Sequence, residues 1–184
     1  TSANSLGIDV DANSTVTSLS VGHITPVSIA SNKTLSGAIT VSAGSLKLNE
    51  TGTLASTIAM SGGTLDSDES STVSGALSHT ADITIDVTTG KTLTYSGAAI
   101  SIGPNTITLS GGGTFSNVNK LVLSDPVSTL KLDGISTVAN VSVPVALSTG
   151  KLDVDQNSVI QKPKTILTLL IFCLLFSSKF CFFA

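Results

Sequence analysis

One strand-turn phrase recurs along this chain at nearly constant spacing, and that recurrence narrows the possible folds more than any other feature. In Leu46-Lys47-Leu48-Asn49-Glu50-Thr51-Gly52-Thr53-Leu54, two apolar residues flank a polar one, five small or polar residues follow, and an apolar residue returns. The phrase appears again as Ile8-x-Val10 to Val16, Val27-x-Ile29 to Leu35, Ile85-x-Val87 to Leu93, Ile107-x-Leu109 to Phe115, Leu130-x-Leu132 to Val138 and Leu152-x-Val154 to Ile160, with a weaker copy from Leu65 to Val73. The closing residues Val16, Leu35, Leu54, Val73, Leu93, Phe115, Val138 and Ile160 are 19, 19, 19, 20, 22, 23 and 22 residues apart. A period of this size marks a stacked repeat architecture.

Within a unit the apolar residues alternate with small polar ones at period 2, which is strand patterning. The unit opening at Leu35 touches apolar residues at Ile39-Thr40-Val41 and again at Leu46-Lys47-Leu48, separated by Ser-Gly-Ala and Ser-Ala-Gly-Ser turns. Strands this short bury no face alone. If each unit closes one coil, its apolar residues stack on their counterparts about 4.8 Å away, and eight coils build a rod of about 38 Å. The expected fold is all-β, a single-stranded right-handed parallel β-helix (β-solenoid) of about eight coils of 19–23 residues. Leu35, Leu54 and Val73 should stack in successive coils. The longer units after Leu93 take up their extra residues in turns such as Gly97-Ala98-Ala99, Gly103-Pro104-Asn105 and Gly111-Gly112-Gly113.

This division gives a solenoid domain over 1–161 and a hydrophobic tail over 162–184. The tail carries five of the six Phe and both cysteines, Cys173 and Cys181, and follows the last glycine, Gly150. Thr165 to Ala184 is close to the length a helix needs to span a bilayer, interrupted by Ser177-Ser178-Lys179. It reads as a membrane anchor or attachment signal, as a fragment end or out-of-frame translation, or as a cap on the last coil.

Composition excludes several function classes. The chain has no Arg and a net charge of -3, which argues against a nucleic-acid partner. The first 172 residues lack cysteine, so neither a disulfide framework nor a thiolate metal site is expected there. The two histidines, His23 and His79, lie in different units, and His79 takes the place that Val41 and Met60 hold, the position of a structural histidine. No glycine-flanked nucleophile or Ser-His-Asp spacing is present. We therefore expect no enzyme, no cofactor and no metal site. Asp66-Ser67-Asp68-Glu69 reads as a solvated turn rather than a cation loop, since it lacks the Asp-x-Asp-x-Asp-Gly layout. Asp11, Asp68, Asp133 and Asp155 open the five-residue corner in four units, where an Asp can accept bonds from nearby backbone N–H groups. Four asparagines, Asn13, Asn32, Asn49 and Asn140, match the Asn-x-Ser/Thr acceptor pattern.

The most regular polar feature is a file of threonines, Thr15, Thr34, Thr53, Thr72, Thr92, Thr114 and Thr137, each preceding an inward residue and so facing out. A second file two residues on reads Thr17, Ser36, Ala55, Ser74, Thr94, Ser116 and Ala139. This double row resembles the Thr-x-Thr face of ice-binding β-solenoids, where methyl and hydroxyl groups match an ice plane. Stacked Thr also support one another across neighbouring strands with no ligand involved.

Lys33-Thr34-Leu35-Ser36-Gly37-Ala38-Ile39-Thr40-Val41 and Gly90-Lys91-Thr92-Leu93-Thr94-Tyr95-Ser96-Gly97 resemble the passenger repeats of bacterial autotransporters and of filamentous-haemagglutinin-like adhesins. That resemblance runs over about residues 5 to 161 and implies a secreted stalk or adhesin at the cell surface, with host-cell or matrix glycans or proteins as partners. The ice-binding reading stands as the alternative, with ice as the partner. A polysaccharide-acting β-helix enzyme is a further alternative, for which the small polar corners offer no groove of carboxylates and cations. Membrane attachment, if any, would run through Thr165 to Ala184.

Overall fold

The computed structural model of the chain describes residues 7–117, 121–134, 137–139, 141–142, 150–154 and 160–161. The tail over 162–184, Asp155 and Asn140 lie outside the described residues. Among the described residues every regular element is a strand, and no helix is long and apolar enough to cross a membrane.

The strands form a β-solenoid of about six turns, close to the eight coils expected. The first sheet stacks eight parallel strands: Ile8–Val10, Thr25–Ile29, Ser45–Leu48, Thr64–Ser67, Ile83–Val87, Thr106–Ser110, Thr129–Asp133 and Lys151–Val154. The second is a ten-stranded sheet whose central strand, Thr34–Val41, pairs with Ser14–Val21, Thr53–Leu54 and Thr57–Met60. It continues on one side through Leu77–His79, paired with Thr57–Met60, and on the other through Ser71–Val73, Thr92–Tyr95, Thr114–Asn117, Thr137–Ala139 and Ile160–Gln161. A third sheet joins Ile100–Ser101, Leu121–Val122 and Val141–Ser142.

Thr34–Val41 runs through a bend that later coils break into two strands, and the repeated small residues explain the bend. Leu35 and Ile39 both point inward, four residues apart, with Gly37 between them. In the following coils Ser56, Gly75 and Gly97 take the corner. A Cβ on Gly75 would lie 1.8 Å from the Ser56 carbonyl oxygen. The coil wall here is thinner than a side chain.

The core is the expected aliphatic column. Leu35 pairs with Leu54 and Leu54 with Val73, all at most 1% exposed. On the first sheet Leu46 pairs with Leu65, and Leu65 with Ile85. These side chains are removed from water on every side, at roughly 1.5–3 kcal/mol for each large aliphatic.

The register departs from the even spacing of the sequence at four steps. Val27 pairs with Leu48, where the repeat phrase aligns it with Leu46. Val16 pairs with Gly37 rather than Leu35, which faces Ser14. Ile85 pairs with Leu109 rather than Ile107, and Leu93 with Ser71 rather than Val73. Each difference is two residues. A two-residue slip keeps every side chain on its own face, so the alternation that defines the core cannot distinguish these registers.

Packing decides the last of these slips. Tyr95 sits opposite Val73 and stacks on Phe115, with ring centroids 6.3 Å apart. Leu93 then faces Ser71, whose hydroxyl donates to the Glu50 carbonyl at 2.7 Å. The Tyr95 hydroxyl accepts the Leu77 N–H at 3.0 Å and donates to the Ala98 carbonyl at 2.8 Å. Burial holds this phenol above its ordinary 10.0, so it stays a donor. Tyr95→Phe is expected to cost roughly 1–3 kcal/mol, because it leaves a buried N–H and a carbonyl without their partner. Urea unfolding monitored by circular dichroism measures it.

Candidate functional site

The first and second sheets present outward surfaces whose chemistry differs sharply. The outward positions of the first sheet are charged along much of its length: Asp9, Lys47, Asp66, Asp86, Lys131, Asp133, Lys151 and Asp153. Those of the second sheet between Thr34 and Thr137 include Thr34, Ser36, Ala38, Thr40, Thr53, Thr57, Ala59, Thr72, Ser78, Thr92, Thr94, Thr114, Ser116 and Thr137, with Ala55 and Ser74 flanking the strands, and none of these is charged. The candidate binding surface is this uncharged one.

Along it the threonine file is two blocks, not one row. Thr34 pairs with Thr53 and Thr53 with Thr72. Thr92, Thr114 and Thr137 pair in turn in the other block. The blocks are offset by two residues, because Thr72 sits opposite Thr94. That displacement is about 7 Å along the strand. Thr15 does not continue the first block: it pairs with Ser36, and their hydroxyl oxygens are 2.8 Å apart. The cause is the same two-residue slip that sets Tyr95 against Val73 and Ser14 against Leu35. Thr15 is exposed, whereas Thr34, Thr53, Thr72, Thr92, Thr114 and Thr137 are half-buried between neighbouring coils.

The first sheet carries a shorter threonine row that the sequence reading missed. Ser45, Thr64, Thr84 and Thr108 pair in succession, and Thr106 pairs with Thr129. Its signal was a Thr directly before Leu65, Ile85 and Leu109, masked by the charged residues around it.

The acidic run sits at a bend over 68–70, partly exposed, and its carboxylates pair with two lysines. Lys47 reaches Asp66 at 3.3 Å and Asp68 at 2.7 Å, and Lys91 reaches Glu69 at 2.6 Å. Lys47 bridges because the register places it opposite Asp66 on the next strand. The Asp68 side chain takes the Thr88 hydroxyl and Lys47, and Asp133 takes Lys131. Two residues beyond Asp11 and Asp68, the corner caps backbone N–H groups. Asn13 accepts the Thr34 N–H at 3.1 Å, and the Ser70 hydroxyl accepts the Thr92 N–H at 3.2 Å. Each caps a strand of the next coil, so the corner ties neighbours together.

Burial pushes the Asp66 carboxyl above its ordinary 3.8 against the pull of Lys47, and Asp68 and Asp86 add to the rise. Lys47 is raised above 10.5, chiefly by its bond to Asp68. The folded chain thus holds the Asp66 proton more tightly than the unfolded chain does. Stability should therefore fall as pH rises above 3.8, until Asp66 is ionised in both states. The Lys47 contribution is present at neutral pH and is lost as pH rises through its raised value. Asp66→Asn should flatten the acidic part of the stability profile, read from urea midpoints at a series of pH values.

His79 occupies the inward row, opposite Met60, as its place in the repeat implied. Its ring nitrogens lie 3.0 Å from the Ala81 carbonyl oxygen and 3.1 Å from that of Ser101. It bridges Leu77–His79 and Ile100–Ser101, which are near one another but share no strand pairing. A shallow depression of about 90 Å³ beside it is lined by Thr40, Ala59, Met60, Ser78 and Thr80. Among the described residues no group of three His, Cys, Asp or Glu could hold a metal ion.

No family model, curated protein or solved structure matches the chain. Its class rests on its own architecture, that of a parallel β-solenoid repeat protein.

Proposed function

We propose that the chain is a structural or adhesive segment of a cell-surface or extracellular protein, a rigid stalk whose uncharged face meets its partner. The observation that carries this reading is the separation of surfaces. Among the described residues charge lies on the first sheet and the corners, while the second sheet presents Ser, Thr and Ala on strands held in register by the column beneath. Such a face loses little side-chain entropy on contact and offers hydroxyls at fixed spacing, which suits glycans or the backbone of matrix proteins. In this reading the chain catalyses no reaction, and Thr165 to Ala184 attaches it to a membrane.

Immobilised chain should retain cell-surface glycans or matrix proteins, and Thr53→Glu with Thr72→Glu should abolish retention while the far-UV spectrum stays that of a β-protein. Equal retention by parent and variant would contradict the assignment to this face.

Ice binding is the second reading, favoured by the direct Thr34–Thr53–Thr72 pairing. Suppression of ice recrystallisation by the parent chain, lost in the same double variant, would replace the adhesive reading with this one.

A further inference from the structure

Asn13 stands in a setting that the other three Asn-x-Ser/Thr asparagines lack. Asp11 lies two residues before it and Thr15 two residues after, in Asp11-Ala12-Asn13-Ser14-Thr15. The corresponding preceding residues are Ala30 before Asn32, Lys47 before Asn49 and Val138 before Asn140. A hydroxyl residue at the second following position is what oligosaccharide transfer to asparagine requires. A carboxylate at the second preceding position adds a charge-assisted contact for those transferases that bind an acidic acceptor sequence.

Structure singles out the same five residues. Asp11, Ala12, Asn13, Ser14 and Thr15 are all exposed, the longest unbroken exposed run among the described residues. Asn49, by contrast, is half-buried with its Oδ1 shut away from water. Asn13 is held by one bond through Oδ1, to the Thr34 N–H. The strand that follows, Ser14–Val21, pairs on one side with Thr34–Val41, and among the described residues no strand pairs on its other side.

We propose that Asn13 is an N-linked glycan acceptor of the acidic-sequence type, served by a polyisoprenyl diphosphate-linked oligosaccharide. The Asn13 Nδ2 forms a bond to the anomeric carbon of the first sugar. The bond from that carbon to the diphosphate oxygen breaks, and the polyisoprenyl diphosphate departs with the electron pair. The proton lost from Nδ2 passes to a carboxylate of the transferase. This assignment is independent of whether the uncharged face binds a partner.

The test uses the full chain, folded in mild detergent, with a single-subunit oligosaccharyltransferase and its lipid-linked donor, read by intact mass and peptide mapping. One glycan is expected, on Asn13, and Asn13→Gln should abolish it. Asp11→Asn should lower the yield about tenfold, the loss of one charge-assisted contact, with an unchanged far-UV spectrum. A folded chain that gains no glycan, or gains it at Asn32, Asn49 or Asn140, overturns the assignment. So does an Asp11→Asn variant glycosylated as fully as the parent.

Discussion

Replacing Gly37 by Ala is expected to destabilise the chain by roughly 2–5 kcal/mol, because two costs add at one position. Its φ of +122° lies where a side chain is strained, and an added Cβ would sit 1.9 Å from the Val16 carbonyl oxygen. The obstruction is backbone, so no rotamer change relieves it. Either the bend opens, pulling Leu35 or Ile39 out of the column, or the coil before it moves away and breaks its ladder. A control at Gly90, whose φ of +78° is also positive but where an added Cβ meets nothing within 4 Å, separates strain from collision. Gly90→Ala should cost only the backbone part. Equal urea midpoints for the two variants would show that the corner is looser than described.

Phe115→Ala is expected to cost roughly 3–5 kcal/mol, the cavity and transfer terms of a large buried ring. Phe115 is fully buried, lies between Leu93 and Val138 on the neighbouring strands, and stacks on Tyr95. The coils above and below are tied by backbone ladders at fixed spacing, so they cannot close on the gap. Phe115→Leu should recover most of the loss. Thermal unfolding followed at 218 nm, about the β-sheet minimum, would measure both, with Thr114→Ser as a surface control expected to stay within about 0.5 kcal/mol.

The column of Leu35, Leu54 and Val73 was legible in the sequence because burial imposes period 2 within a strand and one coil length between strands. The uncharged outward file was legible for the same reason, since its residues alternate with the core. Register was not legible. Val73 and Ser71 are both inward positions, and only the fit of Tyr95 against Val73 and Phe115 selects the pairing of Leu93 with Ser71. Neither spacing nor alternation contains that information. The corner chemistry was legible only in part. Small polar residues marked the turns, but Asp68 is claimed by Lys47 on another coil, and such a partner is visible only once coils are stacked. The pair of carbonyls around the His79 ring comes from the gap between two strands, which no local pattern announces.

Stacked coils in a specific register are the central claim, and engineered disulfides test it most directly. With Cys173→Ser and Cys181→Ser removing the native thiols, the pair Thr72→Cys and Thr94→Cys places two outward thiols on directly paired positions. Paired positions on neighbouring strands lie within the Cα separation of about 4.4–6.8 Å that a disulfide spans. This pair should oxidise readily without loss of stability, while Thr72→Cys with Thr92→Cys, offset by two residues, should not. Preferential oxidation of the second pair would contradict the register, and oxidation of neither would contradict the solenoid itself.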